Sequence, residues 1–438
     1  MADNTDLFRI IIVGGGIAGF TAAIALRGLR RQITVLEQSS LNKEIGALIS
    51  LQQNASRIME TVYNLKEDLK QARGMVDEGF KVYSKDGKEV KFIPLLSKKE
   101  YGASRVVYHR QDLHAALKRA ACSLERPGDP VKIRLGTRVV DCDSERGKVV
   151  LENGETLQGD LIVAADGIHS VLRKHVLGEE NIALPTGLSA YRLLIPTSTL
   201  EEHEKEFCKK IDPRAPYTSM IVAHESRLIM GPGRQGEVYA IVGLCPDEKM
   251  NEDPKKHTSW VSEGKLRKML ETFSDFPSWV TDIFKHSPDL GLWQLRDLDP
   301  LKTWHRGRVI LIGDAAHAML PTQGQGASQA VEDAEALGAF FEKITGPPTN
   351  KEIMKILEVN FYDNFLKFVK VDIEIQEVFQ CRYHRASLIQ GYSRQAAKSG
   401  TPSKDSNIVQ MSPDQFMDYN CNYPGAIEWR RKQLEAVS

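Results

Sequence analysis

The chain has 438 residues, enough for two domains of ordinary size. Hydrophobic residues make up 42% and charged residues 26%, which is typical of a packed globular protein and excludes a disordered one. Lys plus Arg and Asp plus Glu number 58 each, so the balance favours neither nucleic acid nor an anionic membrane as a partner. The longest apolar runs are strand-sized and no charged-then-apolar leader precedes them, so we expect a cytoplasmic protein without a membrane span.

The six cysteines are widely spread, and none pairs with another at C-x-x-C spacing. No group of Cys and His residues has the spacing of a zinc site. We therefore expect reduced thiols, as in cytosolic proteins, and no bound metal.

A glycine-rich turn near the N-terminus follows a predicted strand at residues 9–13. The turn, Gly14-Gly15-Gly16-Ile17-Ala18-Gly19, fits G-x-G-x-x-G and opens a helix-like run at residues 20–29. A second strand-like run, residues 32–36, ends at an acid. Such glycines let a pyrophosphate reach the helix N-terminus, and such an acid binds a ribose hydroxyl. The pattern predicts a dinucleotide site formed by Gly14, Gly16, Gly19 and Glu37.

Shorter elements follow in chain order. Helical spacing indicates helices at residues 54–69 and 111–124, and alternation indicates a hairpin at residues 80–93. Residues 131–157 indicate three short strands, and residues 160–165 indicate a buried strand that ends in Asp166-Gly167.

The pattern changes at about residue 185 to strands without intervening helices, which predicts an antiparallel sheet and a second domain. The strands are predicted at residues 189–195, 217–223, 226–230 and 237–244, and helices at residues 265–273 and 279–284.

The most informative segment comes after the chain returns to the first domain near Trp293. A strand-like run at residues 308–312 leads into Gly313-Asp314-Ala315-Ala316-His317-Ala318-Met319-Leu320-Pro321-Thr322-Gln323-Gly324-Gln325-Gly326-Ala327, and a helix-like run follows. An acid at a strand end, a proline and two glycines before a helix form an anion-binding arrangement. The glycines admit close approach, and the helix N-terminus has unpaired N–H groups.

The C-terminal region begins at the break Gly346-Pro347-Pro348-Thr349-Asn350. A long helix is predicted at about residues 351–383, and the tail at residues 412–435 is predicted to be partly helical. We expect this tail to serve packing or oligomer contact.

Three segments, in this order, resemble the FAD-dependent aromatic hydroxylases, the single-component flavoprotein monooxygenases related to salicylate hydroxylase and p-hydroxybenzoate hydroxylase. They are the glycine turn with Glu37, residues 159–173, which resemble the D-G motif, and residues 313–327, which resemble the G-D motif. The resemblance covers about residues 9–345 and extends to fungal members that act in natural-product biosynthesis.

The resemblance implies an α/β fold. A Rossmann-like, three-layer FAD-binding domain is joined to an antiparallel-sheet substrate domain and to C-terminal helices. The predicted FAD domain is discontinuous and comprises residues 1–78, 103–184 and 293–345. The predicted substrate domain comprises residues 79–102 and 185–292, and the helical region comprises residues 346–438.

The resemblance also implies roles for single residues. Arg110 is expected on the ribityl and phosphate side of FAD, although an ordinary charge at a helix start remains open. Asp166 is expected to act through the geometry of its turn, and Asp314 to bind the ribityl chain. The isoalloxazine ring is expected to contact Pro321 and the loop backbone at Gly324, Gly326 and Ala327.

Three further side chains have open interpretations. Arg192 is the candidate substrate ligand, with a structural salt bridge as its alternative. Arg173 is expected either to serve a pyrophosphate or to cap its own helix. His317 is interpreted as stabilising its turn rather than as a catalytic base.

The chemistry implied by the resemblance uses NAD(P)H, FAD and O2. Reduced FAD and O2 form a C4a-hydroperoxide, which transfers one oxygen atom to an electron-rich phenol or indole. The sequence leaves open epoxidation of an alkene by the same cofactor and, in another class, a non-enzymatic FAD-fold binding protein. It also leaves open a monomer or a homodimer.

Overall fold

The computed structural model describes residues 7–39, 47–95, 98–223, 225–249, 261–263, 265–344, 378–397 and 409–437. In chain order the strands are β1 (Phe8–Val13), β2 (Arg31–Leu36), β3 (Leu48–Leu51), β4 (Met75–Val76), β5 (Gly79–Tyr83), β6 (Glu89–Pro94), β7 (Val106–His109), β8 (Lys132–Arg134), β9 (Val139–Asp143), β10 (Lys148–Leu151), β11 (Thr156–Gln158), β12 (Leu161–Ala164), β13 (Leu184–Pro196), β14 (Tyr217–Ala223), β15 (Ser226–Gly233), β16 (Val238–Pro246), β17 (Val261–Glu263), β18 (Leu290–Asp297), β19 (His305–Arg306) and β20 (Val309–Leu311).

The helices are α1 (Ile17–Leu26), α2 (Gln53–Arg57), α3 (Lys66–Gln71), α4 (Lys98–Tyr101), α5 (Arg110–Cys122), α6 (Leu172–Leu177), α7 (Thr197–His203), α8 (Lys205–Lys210), α9 (Leu266–Thr272), α10 (Ser278–Thr281), α11 (Asp314–His317), α12 (Gly326–Phe341), α13 (Val378–Ala397), α14 (Pro413–Cys421) and α15 (Ala426–Val437). None of the helices within the described ranges is long and apolar enough to cross a membrane.

The first sheet has six strands in the order β19-β20-β12-β1-β2-β8, parallel except at the β19 edge. Its strands are apolar on both faces because both faces are covered. One face packs against α1, α5 and α12, and the other packs against α6 and the small sheet β9–β11. This three-layer arrangement confirms the predicted α/β fold.

The second sheet has eight strands in the order β17-β18-β13-β16-β15-β14-β5-β6 and is antiparallel except for the pair β5 and β14. Alternate residues point to opposite faces. One face packs against the aromatic side chains of α8–α10 and the turns beside them. The other face includes Ala190 and Leu244, which pack with Leu320 of the predicted flavin loop. The second sheet therefore faces the loop at the carboxyl edge of the first.

Several boundaries differ from the prediction. The helix predicted at residues 54–69 is interrupted, because a π-helical turn at Ile58–Val62 leads to Asn64 with a left-handed φ of 49°. The domain boundary predicted at residue 292 falls inside β18, whose buried residues continue in the second sheet to Leu295. Residues 131–157 contain four strands instead of three, since β8 joins the central sheet.

The C-terminal helices also differ from the prediction. The helix predicted at residues 351–383 lies mainly outside the described residues, whereas α13 continues to Ala397. Helices α14 and α15 both lie within the predicted helical tail. The tail packs on the first domain, as Trp429 does against the core beside α12.

Buried charges attach α13 to α12. The Arg382 guanidinium donates to Asp333 Oδ1 at 2.9 Å and also pairs with Glu332. Arg385 donates to Glu332 at 2.7 and 2.8 Å, and Asn54 donates to the same carboxylate at 2.5 Å. Since these charged side chains are buried, each depends on its partners for stability.

Candidate active site

The turns that carry the predicted FAD ligands lie side by side at one edge of the first sheet. The neighbouring parallel strands β20, β12, β1 and β2 all end there. Asp314, Asp166, Gly14 and Glu37 follow the ends of these four strands, respectively. In open α/β sheets this carboxyl edge is where ligands bind.

Two of the three fingerprint glycines are required by contacts within the protein. Gly14 has φ of 103°, and a Cβ there would lie 2.2 Å from the carbonyl oxygen of Ala165. A Cβ on Gly19 would lie 1.9 Å from the carbonyl oxygen of Gly14. A Cβ on Gly16, by contrast, meets no protein atom within 4 Å. The N-terminus of α1 therefore opens onto free space at Gly16, where a pyrophosphate fits.

Glu37 holds the glycine turn from the end of β2. Its carboxylate accepts from the N–H of Gly15 at 2.8 Å and from the N–H of Ser39 at 2.8 Å. On the opposite side, His114 Nε2 donates to the carbonyl of Gly15 at 2.6 Å. The carboxylate keeps further acceptor capacity for a ribose hydroxyl.

Asp166 acts within its own turn. Its Oδ2 accepts from the N–H groups of Val171 at 2.8 Å and Leu172 at 3.2 Å, at the start of α6. Its Oδ1 is buried and finds no partner among the described residues. Burial raises the pKa of this carboxyl group. The side chain therefore organises the turn that presents Gly167, which has φ of 77°.

Arg173 connects the D-G turn to the G-D turn. Its buried guanidinium donates to the carbonyls of Ala315 at 2.8 Å, Ile168 at 3.0 Å and Asp314 at 3.2 Å. Both roles predicted for Arg173 are therefore wrong, because its N–H groups point into the protein and reach carbonyls of neighbouring loops.

The Asp314 side chain is exposed at the sheet edge, while the turn behind it is fixed. His317, which is 2% exposed, lies 2.6 Å through Nε2 from Asp333 Oδ2, and that oxygen also accepts from the N–H of Gly313 at 2.9 Å. Burial raises the pKa of Asp333, but His317 and Arg382 outweigh it and lower the pKa to about 2. His317 thus stabilises the turn and does not face the cleft.

The loop after Leu320 brings the N-terminus of α12 to the cleft. Pro321 is exposed, and Gly324 has φ of 62° and packs close to β3, since a Cβ there would lie 2.9 Å from Ser50 Oγ. A Cβ on Gly326 would meet no protein atom within 4 Å, and Ala327 is half-buried. The first N–H groups of a sixteen-residue helix therefore face open space.

Arg192 lies on the face of the second sheet that points to this loop. It pairs in register with Val242, which pairs with Ile229, so the three side chains share that face. Its guanidinium lies 4.8 Å from the centre of the Trp293 ring. Burial, together with the nearby positive charge of Arg110, lowers the pKa of Arg192 to about 10.

The contacts of Arg192 bear on the two interpretations of this residue. No carboxylate of the described residues pairs with Arg192, which removes the basis for a salt bridge within these ranges. The guanidinium nevertheless stays protonated at neutral pH. The arrangement brings Arg110, at the start of α5, and Arg192 to the same cleft from the two sheets.

The open positions along the cleft fit FAD. Free space at Gly16 and Gly326 marks two helix N-termini, and Asp314 is exposed after the end of β20. Gly14 and Gly19 need no ligand to explain them, but Gly16 and Gly326 have no steric requirement from the protein itself. A dinucleotide that touches both helix ends accounts for both.

Sequence reasoning missed several residues that hold this site. His114 and Gln52 are examples: the Gln52 N–H donates to Ser328 Oγ at 3.0 Å and ties β3 to α12. Neither has a motif that could reveal its partner. The adjacent acids Glu332 and Asp333 did carry a signal, because two carboxylates in an apolar helix require buried cations.

Comparisons with known proteins agree with this geometry. The family model described as FAD binding domain matches residues 8–346. Hispidin-3-hydroxylase from Neonothopanus nambi is 31% identical over 357 residues, 79% of this chain and 83% of that protein. Salicylate hydroxylase in a substrate complex has a TM-score of 0.69 at 26% identity, covering 90% of this chain and 88% of that chain. CtdE in complex with FAD and a substrate has a TM-score of 0.76 at 22% identity, covering 98% and 99%.

The family match spans residues 8–346, which include the strands of both sheets. Relatives named as hydroxylases and monooxygenases remove the alternative of a non-enzymatic binding protein. The chain therefore belongs to the FAD-dependent monooxygenases of the aromatic hydroxylase type.

Proposed function

We propose that this monooxygenase uses NAD(P)H and O2 to hydroxylate an electron-rich aromatic ring that binds as an anion, as a phenolate does. Arg192 carries the proposal, since it is a half-buried cation that faces the cleft and has no carboxylate partner among the described residues. A buried charge without an ion partner is costly, and an anionic ligand offsets that cost. A phenolate is also a more electron-rich ring than the neutral phenol.

The surroundings of Arg192 support oxygen transfer in a dry space. Bound FAD supplies hydride acceptance from NAD(P)H and activation of O2. Ala190, Leu244, Leu295 and Leu320 form an apolar cluster between the sheet and the flavin loop, and such a wall excludes water from the reacting groups. The N-terminus of α12 favours negative charge on the ring system bound against it.

The proposed cofactor contacts follow from the same positions. Gly16 and the N-terminus of α1 hold the pyrophosphate, Glu37 accepts from the ribose, and Asp314 accepts from the ribityl chain. Arg110 adds positive charge on the phosphate side, and Pro321 borders the ring. The relative named for salicylate, a phenol with a carboxylate, supports an anionic aromatic substrate.

Substrate-dependent oxidation of NADH or NADPH by the FAD-loaded protein tests the proposal. The panel contains phenols, indoles and an alkene without an ionisable group, and product is quantified beside the nicotinamide consumed. Loss of a hydrogen bond to a charged group costs about 1.5–3 kcal/mol, so Arg192→Met should lower kcat/KM for phenols roughly 10- to 150-fold. Arg192→Lys should retain part of the wild-type kcat/KM, and both variants should keep FAD bound. Faster oxidation of the nicotinamide with the alkene than with the phenols contradicts the proposal and favours epoxidation. An equal loss of kcat/KM for all substrates in Arg192→Met also contradicts the proposal.

A further inference from the structure

A second arginine shares the cleft-facing side of the eight-stranded sheet. Arg227 of β15 pairs in register with Leu244, and Leu244 pairs with Ala190. Directly paired residues point to the same face, and so do residues two apart. Arg227 therefore lies on the same face as Ala190 and Arg192. It lies two strands away from Arg192 across the sheet and is displaced from it by two residues along the strand direction.

The two arginines lie at opposite ends of an apolar surface. Strand spacing and rise place their Cα atoms about 12 Å apart. Between them, on the same face, lie Val242, Ile229 and Leu244, which belong to the apolar cluster with Leu320. Leu244 is covered by its packing in this cluster, whereas Val242 and Ile229 are only half-buried, so an aromatic skeleton that rests on these two side chains reaches both guanidinium groups.

Among the described residues, few polar groups offset the cost of burying the Arg227 guanidinium. Burial lowers its pKa, and no acidic side chain contributes to that pKa. One of its nitrogens, Nη2, donates to the carbonyl of Ala397 at 3.3 Å, in the last described turn of α13. A guanidinium has five N–H donors, so this single long bond leaves most of its capacity for another acceptor.

The last described turn of α13 lies on this side of the cleft. Ala397 packs with the apolar cluster that contains Ala190 and Leu320, and Thr322 of the flavin loop donates to the carbonyl of Ser393 at 2.7 Å. The carbonyl of Ala397 places a partial negative charge beside the Arg227 guanidinium, which explains how this side chain is held there. That placement fixes the guanidinium at the boundary of the cleft, but it supplies no full negative charge.

We propose that Arg227 is a second anion anchor, so that the substrate is an aromatic acid whose carboxylate lies remote from the ring held at Arg192. This inference rests on the proposed function for the place of the reacting ring. Carboxylate is the anion that matches a planar guanidinium best, because two parallel hydrogen bonds form. A neutral aromatic compound of the same shape leaves Arg227 without its partner.

Calorimetric titration of the FAD-loaded protein with matched acids and esters tests the anchor. The probes are 3-(4-hydroxyphenyl)propanoate and 4-hydroxycinnamate, each with its methyl ester. Wild type should bind at least one acid about 10-fold or more tightly than its ester. Arg227→Met should remove that preference with ester affinity within about 2-fold, and Arg227→Lys should keep part of it. Arg267→Met, on the exposed side chain of α9, is the matched control.

Two results overturn the anchor. One is the absence of any acid preference across the panel in wild type. The other is equal weakening of acid and ester binding in Arg227→Met, which indicates that Arg227 only contacts α13. The titration needs no turnover. If the protein prefers acids through Arg227 but does not oxidise the ring, the proposed function alone is contradicted. If the protein hydroxylates the ring but shows no preference for acids, the anchor alone is contradicted.

Discussion

Replacing Arg382 by Met tests how the C-terminal helix supports the FAD site. The substitution keeps helix propensity and removes a guanidinium with no exposure. It deletes the 2.9 Å bond to Asp333 and the pair with Glu332, but Arg385 and His317 still reach these carboxylates. Removal of one partner of a buried ion pair costs about 3–5 kcal/mol, and the remaining partners place this case near 3.

The expected fall in Tm follows from the size of the chain. Unfolding entropy of about 2.1 cal/mol/K per residue, over 438 residues, converts about 3 kcal/mol into a fall of about 3 °C, or more if the first domain unfolds alone. The assay is thermal unfolding of the FAD-free protein, with flavin retention measured separately. Because Asp333 also holds the N–H of Gly313, Arg382→Met should release FAD faster.

Arg431→Met provides the matched control. Arg431 lies on α15, is well exposed and pairs only with neighbours on its own helix, Glu428 and Glu435, among the described residues. Its Tm should not change measurably. Equal behaviour of Arg382→Met and Arg431→Met would refute the view that the buried charges attach α13 to the FAD domain.

Two further predictions concern the glycines and the buried acid. Gly16→Ala and Gly326→Ala should weaken FAD binding about 10-fold or more while changing the Tm of the FAD-free protein little, because their Cβ atoms meet only open space. Gly19→Ala should instead lower the Tm of the FAD-free protein, because its Cβ meets the backbone. A similar loss of Tm in all three variants contradicts the assignment. The pKa of Asp333, lowered from 3.8 to about 2, makes its ionised form stabilising above pH 3.8, and that stabilisation is lost as pH falls through about 2. The difference in urea midpoint between wild type and Asp333→Asn should therefore be constant from pH 7 to about 4.5 and narrow below about 4, whereas a gap that widens with acid contradicts the assignment.

Local patterns, together with the family resemblance, were enough to predict the three turns at the edge of the first sheet. The glycine turn, Asp166-Gly167 and the segment after Gly313 each follow an apolar strand, so their places along the sheet edge depend only on strand order. The α/β fold with a second antiparallel sheet was predictable for the same reason. The break near Asn64 was not, because its left-handed backbone has no glycine to mark it.

Contacts between distant segments were beyond the sequence pattern. Arg173 had a plausible role beside its own turn, yet it reaches carbonyls about 140 residues away, as the separation of 142 positions to Ala315 shows. Arg227 had no motif, and its place on the face of Arg192 depends on strand register. A one-residue shift would have turned either side chain to the opposite face.

Turnover of the FAD-loaded protein under labelled oxygen tests the central claim most directly. With NADH or NADPH and the phenolic panel under ¹⁸O2, the account predicts a hydroxylated product with one ¹⁸O atom per ring and a matching amount of nicotinamide oxidised. Product oxygen that comes from water, or no ring oxygenation by protein that holds FAD, would contradict it.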